Sequence, residues 1–283
     1  MGKHIIKMKV AVCISGFIRT WDFTRKSFES FVCGNDSVDI FIHTYYQNYY
    51  ECSAEMKDIK YNKEQILDKF SGLNLVDYVI EDRNEIEKEI LSQALRFNFA
   101  GSFRSLINES SDQNSKKVPL GYRIYDQLRK IYLCNELRKK TNIKYDCVIK
   151  TRFDVLYYQK LELSQYIDGH VHTDIGATGG IPGEIVTIGT PYVIDICSDR
   201  FTILDKFLCP NTRDLEESIK DVQIIGCTCR NTIPMCDLCS HKSLGHIVAH
   251  NKLVFSQNKI FCRVMRNENT IWIPGKGLSL IHI

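Results

Sequence analysis

The chain has 283 residues, of which 44% are hydrophobic and 25% charged. That composition fits a globular protein, with length for one large α/β domain and a sizeable core. The formal net charge is only +3, and the longest basic clusters, RKSF at 25–28 and LRKK at 137–140, are short. Neither forms the concentrated basic patch of a DNA or RNA binder, and a solvated helix face accounts for them. No stretch approaches the ~20 apolar residues of a membrane span.

MGKHIIKMK is basic and VAVCISGF apolar, in the order of a secretion signal. The apolar run is short, however, and Arg19, Trp21 and Asp22 follow it without a small-residue cleavage site. Residues 8–16 therefore read as a buried parallel strand ending in a Ser-Gly loop. The expectation is a cytoplasmic chain whose 12 cysteines are thiols or metal ligands rather than disulfides.

Residues 22–32 carry Phe23, Phe28, Phe31 and Val32 at helical spacing, with Asp22 as N-cap. VDIFIHTYY at 38–46 is a second strand. A short helix at 63–70, a strand at 76–82 and a helix from Asn84 to Phe99 follow. Residues 101–119 are rich in Ser, Asn, Asp and Lys without a period, and read as a loop. GYRIYDQLRKIYLCNELRKK is a helix with Ile124, Leu128 and Ile131 on one face. YDCVIKTRFDVLYY at 145–158 reads as one continuous strand. The Gly-rich residues 168–184 read as a loop, 185–204 as a strand, a turn and a helix, 241–253 as a helix, and KIFCRVMR as a late strand. The order β-α-β-α-β-α-α-β indicates a Rossmann-like, mostly parallel central sheet flanked by helices.

Three charges interrupt the apolar strand at 145–158. Residues two apart in a strand share a face, so Lys150, Arg152 and Asp154 point one way. Ligands of open α/β sheets bind beyond the carboxyl ends of the strands, which is where Asp154 falls. A carboxylate there can hold Mg²⁺ or Mn²⁺ together with phosphate oxygens. Arg152 can bind phosphate, orient the carboxylate, or form a simple internal salt bridge with it. After the first strand, Ser15-Gly16 permits close approach of the backbone, and Arg19 is within reach of a phosphate. His43 ends the second strand, as a core histidine or a site-lining one. Neither GxGxxG nor GxxxxGK[ST] occurs, and GATGG at 176–180 is a weak signal.

Four segments together resemble a family of nucleotide-sugar-dependent glycosyltransferases with a GT-A-like fold, found in bacterial surface-polysaccharide clusters and in large DNA viruses. They are KVAVCISGFIRTW (9–21), DIFIHTYY (39–46), the unit IYDQLRKIYLCNELRKKTNIKYDCVIKTRFDVLY (124–157) and EIVTIGTPYVID (184–195). They are similar to the family's SGxxRTW, DxFIHTW, YDxVIRxRxD and DQFxxG patterns. The resemblance runs over most of 9–204 and more loosely to about 266.

It implies a single domain over 1–283, with 9–158 as the nucleotide-sugar half and 159–283 as the acceptor half. The donor would be a UDP- or GDP-sugar and the acceptor a glycan or other hydroxyl compound. The setting would be the cytoplasm, or the host cytoplasm for a viral enzyme. Asp154 would stand at the family's DxD metal motif, holding Mn²⁺ or Mg²⁺, with Arg152 in the first acidic position. Ser15, Gly16, Arg19, His43 and Lys150 would line the donor site with them. Glu184 matches the acid of DQFxxG and would be the general base, with Asp174 and Asp195 as rivals.

Cys227, Cys229, Cys236, Cys239 and His241 form a separate cluster in an irregular, Cys-rich C-terminal part, with an insertion at 227–241. Two close pairs can supply four thiolates to a structural Zn²⁺, although C-x-C and the six-residue gap are tighter than usual. Reduced surface cysteines are the alternative. A non-catalytic, zinc-stabilised binding module is thus the competing reading of the whole chain.

Overall fold

A computed structural model describes residues 8–32, 37–46, 61–96, 120–175, 182–203, 244–245, 247–248, 250–256, 260–267, 270–273 and 277–280. Its centre is a six-stranded sheet built from β1 (Lys9–Ser15), β2 (Ser37–Tyr46), β3 (Leu75–Asp82), β4 (Cys147–Thr151), β6 (His172–Ile175) and β7 (Pro182–Gly189), in the order β3-β2-β1-β4-β7-β6. The first four run parallel. β7 is antiparallel to β4, and β6 to β7. The chain is therefore a mixed α/β protein with a mostly parallel sheet. Val10 to Ile14 of β1 are almost wholly inaccessible, as expected for a central strand covered on both faces.

The apolar alternation of the strands sorts the helices. Val10, Val12, Ile14, Ile40, Ile42 and Ile149 pack with Trp21, Phe28 and Phe31 of α1 (Trp21–Val32). Ala11, Cys13, Phe41 and Val148, on the other face, pack with Cys134 and Leu137 of α4 (Leu120–Lys140). α2 (Lys63–Asp68) begins in a capping box, in which Asn62 Oδ1 accepts from the Gln65 amide and Gln65 returns a bond to the Asn62 amide. α3 (Arg83–Arg96) follows β3 directly, and α5 (Pro191–Asp199) starts with proline in its first turn, after β7.

Two expectations are corrected. Residues 145–158 are not one strand. β4 stops at Thr151, Arg152–Asp154 form a turn, and β5 (Val155–Tyr157) joins a second sheet, β10-β9-β8-β5, with β8 (Cys262–Asn267), β9 (Thr270–Ile273) and β10 (Gly277–Leu280). The alternation survives the bend because β5 finds new antiparallel partners in β8. Nor is 168–184 wholly a loop, since β6 and the start of β7 occupy part of it. Residues 9–158 and 159–283 thus both contribute strands to both sheets. The cysteine cluster at 227–241 and the loop at 101–119 lie outside the described residues.

Candidate active site

From β1 the chain goes to β2 and β3 on one side of the sheet, and returns to β4 on the other. The strand order therefore reverses between β1 and β4, which places a crevice at their carboxyl ends. The loop after β1 and the turn after β4 meet there.

Their contact is a carboxylate between two guanidiniums. Arg19 Nη2 donates to Asp154 Oδ2 at 2.7 Å. Arg152 donates from Nε to Oδ1 at 2.8 Å and from Nη2 to Oδ2 at 2.6 Å, a fork-on-carboxylate pair. The Asp154 side chain is 3% exposed, whereas Arg152 retains 27%. Burial pushes the Asp154 carboxyl up, but the Arg152 and Arg19 charges outweigh it and hold the group well below the usual carboxylate range.

The turn is anchored from beneath. Phe153 packs edge-on against Trp21 and Phe70, at 5.7 and 6.1 Å between ring centres. The Thr24 hydroxyl donates to the Phe153 carbonyl at 2.5 Å, and the Met265 amide to that of Asp154 at 2.7 Å. The tryptophan of SGFIRTW therefore serves the packing of the turn, while the arginine two residues before it reaches the crevice.

A second group lies on the β7 side. Lys150 Nζ donates to the Glu184 carbonyl, and Arg200 pairs with the Glu184 carboxylate. Gln127 Nε2 approaches the same carboxylate at 3.4 Å. Burial pushes the Lys150 amine down to about 8, against the opposing pull of Glu184. Asp174 accepts at Oδ1 from the amides of Ile185 and Val186, both at 2.9 Å. Its carboxyl is raised by burial, which those amides and Lys150 only partly offset. Gly183 lies directly against it. A Cβ there would stand 2.2 Å from the Asp174 carboxyl carbon, so the position excludes any side chain.

The remaining expected site residues divide. Ser15 is buried beside His43 in the β1–β2 register. Gly16 has φ +133°, a conformation that glycine tolerates, and its amide donates to the His43 carbonyl at 3.1 Å. Open space surrounds the position a Gly16 Cβ would take, so the glycine answers to backbone conformation rather than to a close neighbour. His43 is wholly buried, with Nε2 3.1 Å from Glu81, whose carboxylate also accepts two hydrogen bonds from Arg129. Burial lowers its pKa despite Glu81. It is a core histidine behind the crevice. Asp195 bonds to Asn135 and Arg138 far along α4 and only ties α5 to that helix.

Sequence reasoning missed Arg200 and a buried network beside β2. Asp126 accepts from Tyr45 at 2.5 Å and from Lys130 at 2.7 Å, with Arg83 at 3.4 Å. The Lys130 ammonium lies 4.2 Å from the Phe17 ring centre and 4.8 Å from that of Tyr45. An i,i+4 pair of opposite charge reads as a surface feature, and only the residues facing it reveal otherwise.

As a divalent-cation site the constellation does not fit. Both Asp154 oxygens are directed at guanidiniums, and a cation placed on them would face two fixed positive charges. Glu184 and Asp174 are committed to Arg200 and to backbone amides. Among the described residues no group of three or more His, Cys, Asp or Glu is arranged to hold a metal ion. The described cysteines, Cys13, Cys134, Cys147, Cys197 and Cys262, are free thiols. No helix of the described residues is long and apolar enough to cross a membrane. The chain matches no model of a known protein family and no curated protein.

Proposed function

We propose that the protein is a glycosyltransferase of GT-A-like fold, moving a sugar from a nucleoside-diphosphate sugar to a hydroxyl acceptor. The observation that carries this reading is the meeting of Arg19, Arg152 and Asp154 at the reversal of strand order between β1 and β4. Cationic groups at that place suit a diphosphate. The four sequence segments that resemble the glycosyltransferase family supply the three residues and the strands that hold them.

In the reaction the bond between the anomeric carbon and the diphosphate oxygen breaks, and the electron pair leaves with the nucleoside diphosphate. The guanidiniums stabilise that developing charge. The acceptor oxygen bonds to the anomeric carbon and yields its proton to a carboxylate. Asp174 suits this role better than Glu184. Two amides fix its orientation, and burial raises its affinity for a proton. Glu184 is neutralised by Arg200 and acts as a strut.

Thermal-shift titration with UDP- and GDP-sugars, with and without Mn²⁺, is the test. A rise in Tm with at least one donor, together with a more than 100-fold loss of transfer in Asp174→Asn at unchanged donor affinity, is expected. No shift at saturating concentration under either condition removes the proposal.

A further inference from the structure

We infer that the donor diphosphate is bound by the Arg19–Arg152 pair directly, without a divalent cation, and that Asp154 is the positioning residue that aims the two guanidiniums. The inference rests on the glycosyltransferase reading and departs from the metal-assisted site that the resemblance implies.

The Asp154 carboxylate is already engaged. Its oxygens take three N–H bonds of 2.6 to 2.8 Å from two arginines. A metal ligand must direct a lone pair at the cation, and here three of the roughly four such directions are occupied by groups of the cation's own sign. Mg²⁺ and Mn²⁺ sites use one or two carboxylates with phosphate oxygens, and the other crevice carboxylates have partners of their own.

The charge balance points the same way. Within the triad one carboxylate faces two guanidiniums, in a site where Asp154 is 2% exposed. Arg152 also carries more N–H donors than the two it gives to Asp154. An arginine fork matches phosphate geometry, and its rigid plane loses little freedom on binding. Arg152 alone of the three retains substantial exposure, 27% of its side chain, so a ligand can reach it from the crevice. The Lys150 amine also feels the Arg152 charge, which adds to the positive field there.

Asp154 then resembles the carboxylate behind a metal-bound histidine: it touches no substrate, but it sets the direction of the group that does. Its loss would leave both arginines present and misaligned.

The experiment is isothermal titration of the wild-type protein with UDP, GDP and inorganic pyrophosphate, in EDTA and in Mn²⁺. Binding of at least one probe with affinities within about threefold in the two conditions is expected. Arg152→Lys should weaken that probe more than 10-fold with Tm held within a few degrees. Asp154→Asn should weaken it by about 5- to 20-fold, and Mn²⁺ should not restore it. Binding that appears only with Mn²⁺ overturns the inference and leaves the glycosyltransferase reading intact. No binding of any probe in either condition overturns both. Wild-type affinity in Arg152→Lys also overturns it. The EDTA comparison uses the native chain, so a variant that fails to fold cannot obscure the result.

Discussion

Asp126 and Asp154 are built alike and placed differently. Each is a carboxylate between two cations, Lys130 and Arg83 for the first, Arg19 and Arg152 for the second. Around Asp126 everything is closed: the side chains of Lys130 and Arg83 are 5% and 1% exposed. The rings of Phe17 and Tyr45 cover both cations. Around Asp154 one cation stays open, and it stands where the strand order reverses. A sealed triad can only hold the fold together. An open one of the same chemistry has charge to offer a ligand.

The comparison is broken most forcefully at the sealed end. Asp126→Ala leaves the Lys130 ammonium buried without its carboxylate, and the Tyr45 hydroxyl without its acceptor. Removing one partner of a buried ion pair costs roughly 3–5 kcal/mol. Urea denaturation should show a loss in that range. A loss below about 1 kcal/mol would mean that the two cations reach solvent, and that the sealed triad is not a structural one.

Asp154→Asn sharpens the contrast with a smaller effect. Arg152 can turn towards water, so the stranded charge is partly rescued, and the loss should be about 2 kcal/mol. The isosteric amide keeps the turn in place, with Phe153 packed on Trp21. This is a cleaner variant than Asp154→Ala, in which the loss of activity and the loss of fold would be mixed. If Asp154→Asn proves as damaging as Asp126→Ala in the same denaturation series, exposure is not what separates the two triads.

The two triads were also unequally legible. Arg152 and Asp154 stand out in sequence because they interrupt an apolar run, and Arg19 because it follows the Ser15-Gly16 loop after β1. The parallel strands, α1, α4 and α5 followed from apolar runs and helical spacing. Asp126 and Lys130 did not stand out, because an i,i+4 ion pair on a long helix looks the same whether water or Tyr45 and Phe17 face it. The bend at Arg152–Asp154 was hidden for a related reason: alternation records which face a residue takes and not which sheet the strand joins. β6 was hidden because its inward positions are His172 and Asp174, polar residues buried against partners that sequence does not reveal. Each miss depends on contacts distant in the chain.

The smallest effect separates the two buried lysines by pH. Burial pushes both Lys130 and Lys150 down to about 8, against an ordinary lysine value of 10.5. A base whose folded pKa lies below its unfolded one is protonated in both states at low pH, so the full cost of burying its charge is present there. As the pH rises through about 8 the folded protein sheds the proton first, the unfolded chain then binds more protons, and stability increases. Between pH 7 and 8.5 each lysine should add just under about 1 kcal/mol. Lys130→Met and Lys150→Met should each flatten the wild-type curve of stability against pH in that window, and only the Lys150 variant should also alter the pH dependence of nucleotide binding. Lys150 faces the crevice group of Glu184 and Asp174, whereas Lys130 is closed under aromatic rings. An equal effect of both variants on nucleotide binding would place the sealed triad within the site and erase the distinction drawn between Asp126 and Asp154.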